Sequence, residues 1–223
     1  MRREVIGDAT LYLGDAREIV PGLRFDVLLT DPVWPNAPAG SIAGSDDPAA
    51  LWQAFQAVCP PMKRQVVVMR ADSDPRFLGA VPPSYPFFRA MWLPYVVPGY
   101  IGRKLGGDEI AYWFGACIAS ASNRRVVPGR APMAQSGHRA ASGHPMSRPQ
   151  IHIDWLAYWS SDSGETVLDP FMGSGTTGIA CVKLGRPFLG VEIEPRFFDL
   201  ACRRIEAAHR GTPDLLRIAE SAA

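Results

Sequence analysis

The 223-residue chain has almost no net charge: 23 Lys and Arg stand against 22 Asp and Glu, a formal +1. That balance excludes a wholly basic coating protein and a strongly acidic one. Cysteine is scarce. The four present (Cys59, Cys117, Cys181, Cys202) are scattered, with no C-x-x-C pair. A disulfide framework or a zinc site is therefore not expected, nor any other metal, and a reducing cytoplasm is the expected location. No apolar run approaches the roughly 20 residues of a membrane span, and the opening MRREVIGDAT lacks a signal-peptide core, so no membrane association is expected. Acidic residues are missing altogether from residues 110–153, a stretch that holds Arg124, Arg125, Arg130, Arg139 and Arg148 with His138, His144 and His152. Internal repeats are absent as well.

What is there reads as a globular chain. Hydrophobic residues make up 47% and charged ones 20%, ordinary values for a packed domain. The length fits a single domain over residues 1–223. Continuous apolar runs at residues 9–13, 25–30 and 65–69 suit strands buried on both faces of a parallel sheet. Asp47-Pro48 starts a helix, as cap and first turn, with Leu51, Trp52, Phe55 and Val58 on its apolar face. Residues 87–97 and 109–114 predict an antiparallel pair, weakened at Pro94. Most of residues 120–143, rich in Ser, Gly and Pro, reads as loop. Beyond it, residues 150–159 have helical spacing. Strands at 166–168 and 187–193 then alternate with helices at 176–184 and 195–209. The alternation predicts an α/β fold with a doubly wound, mostly parallel, seven-stranded sheet.

Two predicted strands end in Asp-Pro. In open α/β sheets ligands collect beyond the carboxyl ends of strands. The segment VLDPFMGSGTT (167–177) is strand, acid, glycine turn, helix. Gly173 and Gly175 allow close backbone approach, and the helix start attracts a negative group. No Lys follows GSGTT, and Asp169 would repel phosphates, so a P-loop does not fit. An acid there suits an ammonium group. Glu192 ends the next strand, where an acid can accept from both ribose hydroxyls. Ammonium, carboxylate and ribose together describe S-adenosylmethionine. The plainer alternative is a tight strand-to-helix turn with a solvated Glu192.

The other corner is Asp31-Pro32-Val33-Trp34. Together with DPFMGSGTT and HPMSRP at 144–149, it resembles the amino-group DNA methyltransferases, which modify adenine N6 or cytosine N4. The family's motif is usually Asp-Pro-Pro-Tyr or Asp-Pro-Pro-Trp; Val33 departs from it. Because this motif precedes the cofactor loop, the resemblance is to the circularly permuted, β-type order, on a Rossmann-like methyltransferase fold. It implies S-adenosylmethionine as cofactor, DNA as partner and a possible homodimer. By the same resemblance Asp15 lies near the cofactor adenine, and His144 and Ser147 line its methionine end, with Arg148 where Lys is common. Phe171, Ser174, Thr176 and Thr177 complete the expected cofactor set.

The chemistry explains the residue types. An exocyclic base amine is a poor nucleophile because its lone pair is delocalised into the ring. Acceptors at its N–H groups favour the tetrahedral nitrogen of the transition state. Asp31 and the Pro32 carbonyl can supply them, and Trp34 offers a face for an extruded base. The basic loop at about 116–143, with Arg124, Arg125, Arg130 and Arg139, stands in place of a large target-recognition domain and is the expected phosphate contact. The expectation is adenine-N6 methylation. Cytosine-N4 methylation is the alternative within the class, and a catalytically inactive binding subunit the alternative outside it.

Overall fold

The computed structural model describes residues 2–95, 99–101, 104–106, 108–118, 127–134 and 148–211. Strands β1 (Arg2–Ile6) and β2 (Ala9–Leu13) form a hairpin at Gly7, which takes a positive φ of 56°. A short helix α1 (Ala16–Ile19) leads to β3 (Val27–Thr30), helix α2 (Pro48–Val58) and β4 (Arg64–Arg70). The antiparallel strands β5 (Phe87–Leu93) and β8 (Glu109–Gly115) follow, with the small ribbon β6 (Gly99–Ile101) and β7 (Lys104–Gly106) between them. Helix α3 (Gln150–Ser160), β9 (Val167–Asp169), α4 (Thr176–Lys183), β10 (Phe188–Glu192) and α5 (Pro195–Gly211) complete the described chain.

Eight strands make one sheet in the order β1-β2-β10-β9-β3-β4-β8-β5. The five from β2 to β4 run parallel, while β1 and β8 run against them. The seven expected strands are present, and β1 adds an eighth at the edge. Strand β5 stops at Leu93, short of the expected residue 97. Pro94 has no N–H to give a ladder.

The continuous apolar runs have a direct cause. Val27, Leu29, Val66 and Val68 face one core with Leu156 of α3, Ala180 of α4 and Phe198 of α5. Leu28, Val67 and Met69 face the other, with Val20, Trp52 and Phe55 of α2, and Phe77. Alternate residues of one strand thus serve two layers of helices. Asp47 caps α2 by accepting the Ala50 N–H at 2.9 Å. The apolar face of that helix is narrower than its sequence suggests: Trp52 and Phe55 are buried, whereas Val58 is exposed.

The winding fixes where a ligand can go. The chain leaves β3 by way of α2, on one face, and leaves β9 by way of α4, on the other. Adjacent parallel strands whose connections part in this way open a crevice at their carboxyl ends. Thr30-Asp31 and Asp169-Pro170 are the residues at that opening.

Candidate active site

A single cleft, enclosing about 1320 Å³ with its open mouth included, is lined by both Asp-Pro corners. Asp31, Pro32, Val33 and Trp34 form one wall. Asp169, Phe171, Gly173, Ser174, Thr176 and Thr177 form another, and Asp15, Glu192 and Ile193 close the end. The two corners are tied to each other: Thr30 Oγ1 donates to Asp169 Oδ1 at 2.9 Å, 139 residues away in sequence.

Asp169 is the knot of the glycine loop. Its Oδ2 accepts from Thr177 Oγ1 at 2.6 Å, and its Oδ1 also accepts from the Phe171 N–H at 3.2 Å. Burial pushes its carboxyl up to about 6, against the pull of the Thr177, Thr30 and Phe171 donors. No cation among the described residues pairs with it in these contacts. Gly175 has φ 79°, and a Cβ there would lie 3.0 Å from the Cβ of Ala201. Only glycine suits that turn. Ser174 is held from below, where Arg204 of α5 donates to its carbonyl at 2.6 Å and to its Oγ at 2.8 Å.

Glu192 folds back under the loop. Its Oε2 accepts from the Gly173 N–H at 2.9 Å and its Oε1 from the Glu194 N–H at 2.8 Å. Burial raises its carboxyl above the usual range, backbone N–H groups oppose this, and Asp169 adds to the rise. The Ile193 N–H bears on the carboxylate as well, which leaves it acceptor capacity for a further donor. Asp15 caps α1, accepting the Arg17 N–H at 2.8 Å and pairing with the Arg17 guanidinium at 2.5 Å, which holds its carboxyl below its ordinary value. Phe171 meets Phe55 edge-on at 5.4 Å while lining the cleft.

These features fit S-adenosylmethionine. The charge of buried Asp169 raises the carboxyls of both Asp31 and Glu192, so this part of the cleft favours a ligand that brings positive charge. The glycine turn and the start of α4 leave backbone facing the same space.

The Asp31 corner is not bare. Arg148 lies over Trp34, its guanidinium carbon 3.8 Å from the ring centroid. Its Nε donates to Asp31 Oδ2 at 2.5 Å and its Nη2 to Oδ1 at 3.3 Å. Its Nη1 stands 3.0 Å from Glu109 Oε1. Trp34 is only 4% exposed and donates its indole N–H to the Val68 carbonyl at 3.1 Å. Burial pushes the Asp31 carboxyl up to about 7. Arg148 opposes this, while Glu109 and Asp169 reinforce it.

A family model described as DNA methylase, for N6 and N4 enzymes, matches residues 52–203, more than half of the chain. The chain belongs to the N6/N4 DNA methylase family. Among the relatives of this chain, the type II methyltransferase M2.DpnII of Streptococcus pneumoniae is 39% identical over 67 residues, which is 30% of this chain and 25% of that protein. The DNA adenine methyltransferase YhdJ of Escherichia coli K12 is 32% identical over 100 residues, 43% and 34% of the two chains. The chain thus spans about a quarter to a third of the length of the curated relatives it matches. The M1.HpyAVI–SAM complex shares the fold, with a TM-score of 0.64 at 22% identity, covering 88% of this chain and 99% of that one.

In this chain, Asp31, Pro32, Trp34, Asp15, Asp169, Phe171, Gly173, Ser174, Gly175, Thr176, Thr177 and Glu192 gather at the carboxyl ends of β2, β3, β9 and β10. His144 and Ser147 lie outside the described residues, as do Arg124, Arg125 and Arg139. Arg130 is exposed at the far edge, bridging to Trp92 of β5, so this part of the expected loop extends the sheet. Sequence reasoning missed Glu109. It begins an antiparallel strand, so its start lands where the parallel strands end. The one available signal was that Glu109 is the last acid before the acid-free stretch. Among the described residues no group of three or more His, Cys, Asp or Glu could hold a metal, and no helix is long and apolar enough to cross a membrane.

Proposed function

We propose that this chain transfers a methyl group from S-adenosylmethionine to the N6 amine of adenine in DNA. The observation that carries the reading is the shared cleft: the Asp31 corner and the Asp169–Glu192 loop face one space at the switch point of the sheet. Family membership and the printed name of the adenine-specific relative support it. Asp rather than Ser at the head of the corner favours adenine over cytosine N4.

When bound, S-adenosylmethionine supplies an electrophilic methyl group on a sulfonium. The residues around it bind and orient. Asp169 faces the ammonium end with a carboxylate short of positive partners, and the start of α4 suits the carboxylate end. Glu192 turns its remaining acceptor capacity to the ribose hydroxyls. Ile193, half exposed at the end of the cleft, offers an apolar surface to the adenine ring. At the other wall, Asp31 accepts one N–H of the target amine and the Pro32 carbonyl the other. This localises the lone pair as nitrogen becomes tetrahedral. The amine nitrogen takes the methyl group, the sulfonium–carbon electrons stay on sulfur, and the surplus N–H proton leaves through Asp31. A carboxyl lifted towards neutrality is suited to that transfer. The basic stretch, Arg130 included, supplies phosphate contacts.

The test is incubation with labelled cofactor and mixed-sequence DNA, followed by nucleoside mass spectrometry. N6-methyladenine is the expected product. Asp31→Ala should lower the rate by about 10²–10³, the usual loss when one transition-state hydrogen bond is removed. N4-methylcytosine would replace the base assignment. Absence of any methylated nucleoside, with cofactor still bound, would turn the reading to a binding subunit.

A further inference from the structure

The amine acceptor and the stacking face that a base requires are both occupied by the protein's own side chain. A target base at this corner needs an acceptor for its N–H and a flat partner for its ring. A guanidinium is planar, delocalised and edged with N–H donors, so it satisfies the same two needs. Arg148 does so here, with two hydrogen bonds to Asp31 and a 3.8 Å stack on Trp34. Base and guanidinium cannot share that place.

We propose that Arg148 is a gate that holds the place of the target base on Asp31 and Trp34 and shifts onto Glu109 when an extruded base arrives. The gate rests on the methyl-transfer reading above. Three observations support it. Glu109, 3% exposed, already stands 3.0 Å from Nη1 on the side away from Asp31, so the cation stays paired after it lets go. That contact is an ion pair outside hydrogen-bond alignment, whereas the two Asp31 contacts are aligned, so Glu109 has bonding capacity in reserve. The backbone that follows Arg148 is held in place. Pro149 leads directly into α3, and His152 Nε2 lies 3.0 Å from the Pro94 carbonyl and 3.2 Å from that of Pro132. The side chain can therefore move while its anchor stays. The gate also selects. A base with an exocyclic amine returns an N–H to Asp31 when Arg148 leaves. Thymine has a carbonyl oxygen where those bases carry the amine, so it turns an acceptor towards the carboxylate that Arg148 has left.

The test is calorimetric binding of free deoxyadenosine to the protein saturated with S-adenosylhomocysteine. In the parent protein the gate lowers the apparent affinity by the fraction of time it stands open. Arg148→Ala should bind deoxyadenosine roughly tenfold more tightly, with no gain for thymidine. Guanidinium ion at low millimolar concentration should compete with deoxyadenosine in the variant, since it refills the place, and leave the parent unaffected. Equal or weaker deoxyadenosine binding in a variant that keeps its S-adenosylhomocysteine affinity would overturn the gate. So would guanidinium that improves binding, because Arg148 would then belong to the base pocket. If Arg148→Ala does not fold, Arg148→Lys decides. It keeps a cation between the two acids but cannot stack flat or fork, and it should shift affinity in the same direction by a smaller factor; no shift, or the reverse, overturns the proposal. These readouts do not depend on turnover. Absence of methyl transfer from every form would strike the function proposed above while leaving the gate to stand or fall on binding.

Discussion

Asp31 stands among groups that pull its titration in opposite directions. Burial and the charges of Glu109 and Asp169 push it up, Arg148 pulls it down, and Tyr95 sits behind Glu109 with its own phenol raised by burial. Only the ionised carboxylate can accept the amine N–H and then take its proton. Activity should therefore fall as pH drops through about 7, by about tenfold per unit well below it, and level off above. Glu109→Gln removes a charge that raises Asp31, so it should move this limb to lower pH. Initial rates at subsaturating DNA across pH check both statements; an unmoved limb in the variant would mean that Glu109 is not felt at Asp31. At saturating DNA the gate is displaced, and the limb should lie higher. The corner itself was legible in the sequence because DPVW and DPFMGSGTT carry their chemistry locally. Arg148 and Glu109 were not, since their significance lies in a pairing across 39 residues that neither segment announces.

At the scale of the element, the glycine loop before α4 converts backbone geometry into a binding surface. Gly175→Ala places a side chain at φ 79°, about 1–2 kcal/mol of conformational cost. It also sets a Cβ 3.0–3.1 Å from Ala201 and Ile205, against the face of α5. The variant should unfold at lower denaturant and lose cofactor affinity by more than tenfold. Gly164 makes the control. Its φ is 78°, yet nothing lies within 4 Å of the added carbon. Gly164→Ala should show only the conformational cost, about 1–2 kcal/mol, with cofactor binding unchanged by calorimetry. Elements built on two-sided apolar runs, such as LLT before Asp31 and VVVM in β4, could be read directly because burial on both faces leaves no polar alternation. Strand β1 could not. Its sequence RREVI is short and charged, as edge strands are when they resist further pairing, and it matches no core pattern.

The whole molecule separates chemistry from support along the strand direction. The carboxyl ends of the parallel strands carry the cleft. Their opposite ends carry a buried staple. Arg64, 3% exposed at the start of β4, donates to Glu165 Oε2 at 2.5 Å, to the Ser160 carbonyl at 3.1 Å and to the Ala116 carbonyl at 3.1 Å. Lys63 joins Asp26 at 3.0 Å and Glu165 at 3.1 Å. One guanidinium thus fastens β4, the end of α3 and the approach to β9. Breaking a buried pair from one side costs about 3–5 kcal/mol, because the remaining charge keeps its desolvation without its partner. Arg64→Ala should lose that much in urea unfolding; here the loss is expected near the lower figure, since Lys63 still reaches Glu165. Burial raises the Glu165 carboxyl, but Arg64, the Asp162 N–H and Lys63 outweigh it and hold it below the ordinary range. A depressed carboxyl contributes stability above its unfolded value of about 4.3 and loses it as pH falls through the folded value. The parent should therefore be destabilised steeply on the acid side of pH 4, and Arg64→Ala much less so. Cofactor affinity in the folded variant should match the parent, because the staple and the cleft lie at opposite ends of the same strands. A variant that lost cofactor affinity and stability together would show that the two ends are coupled through β3 and β9.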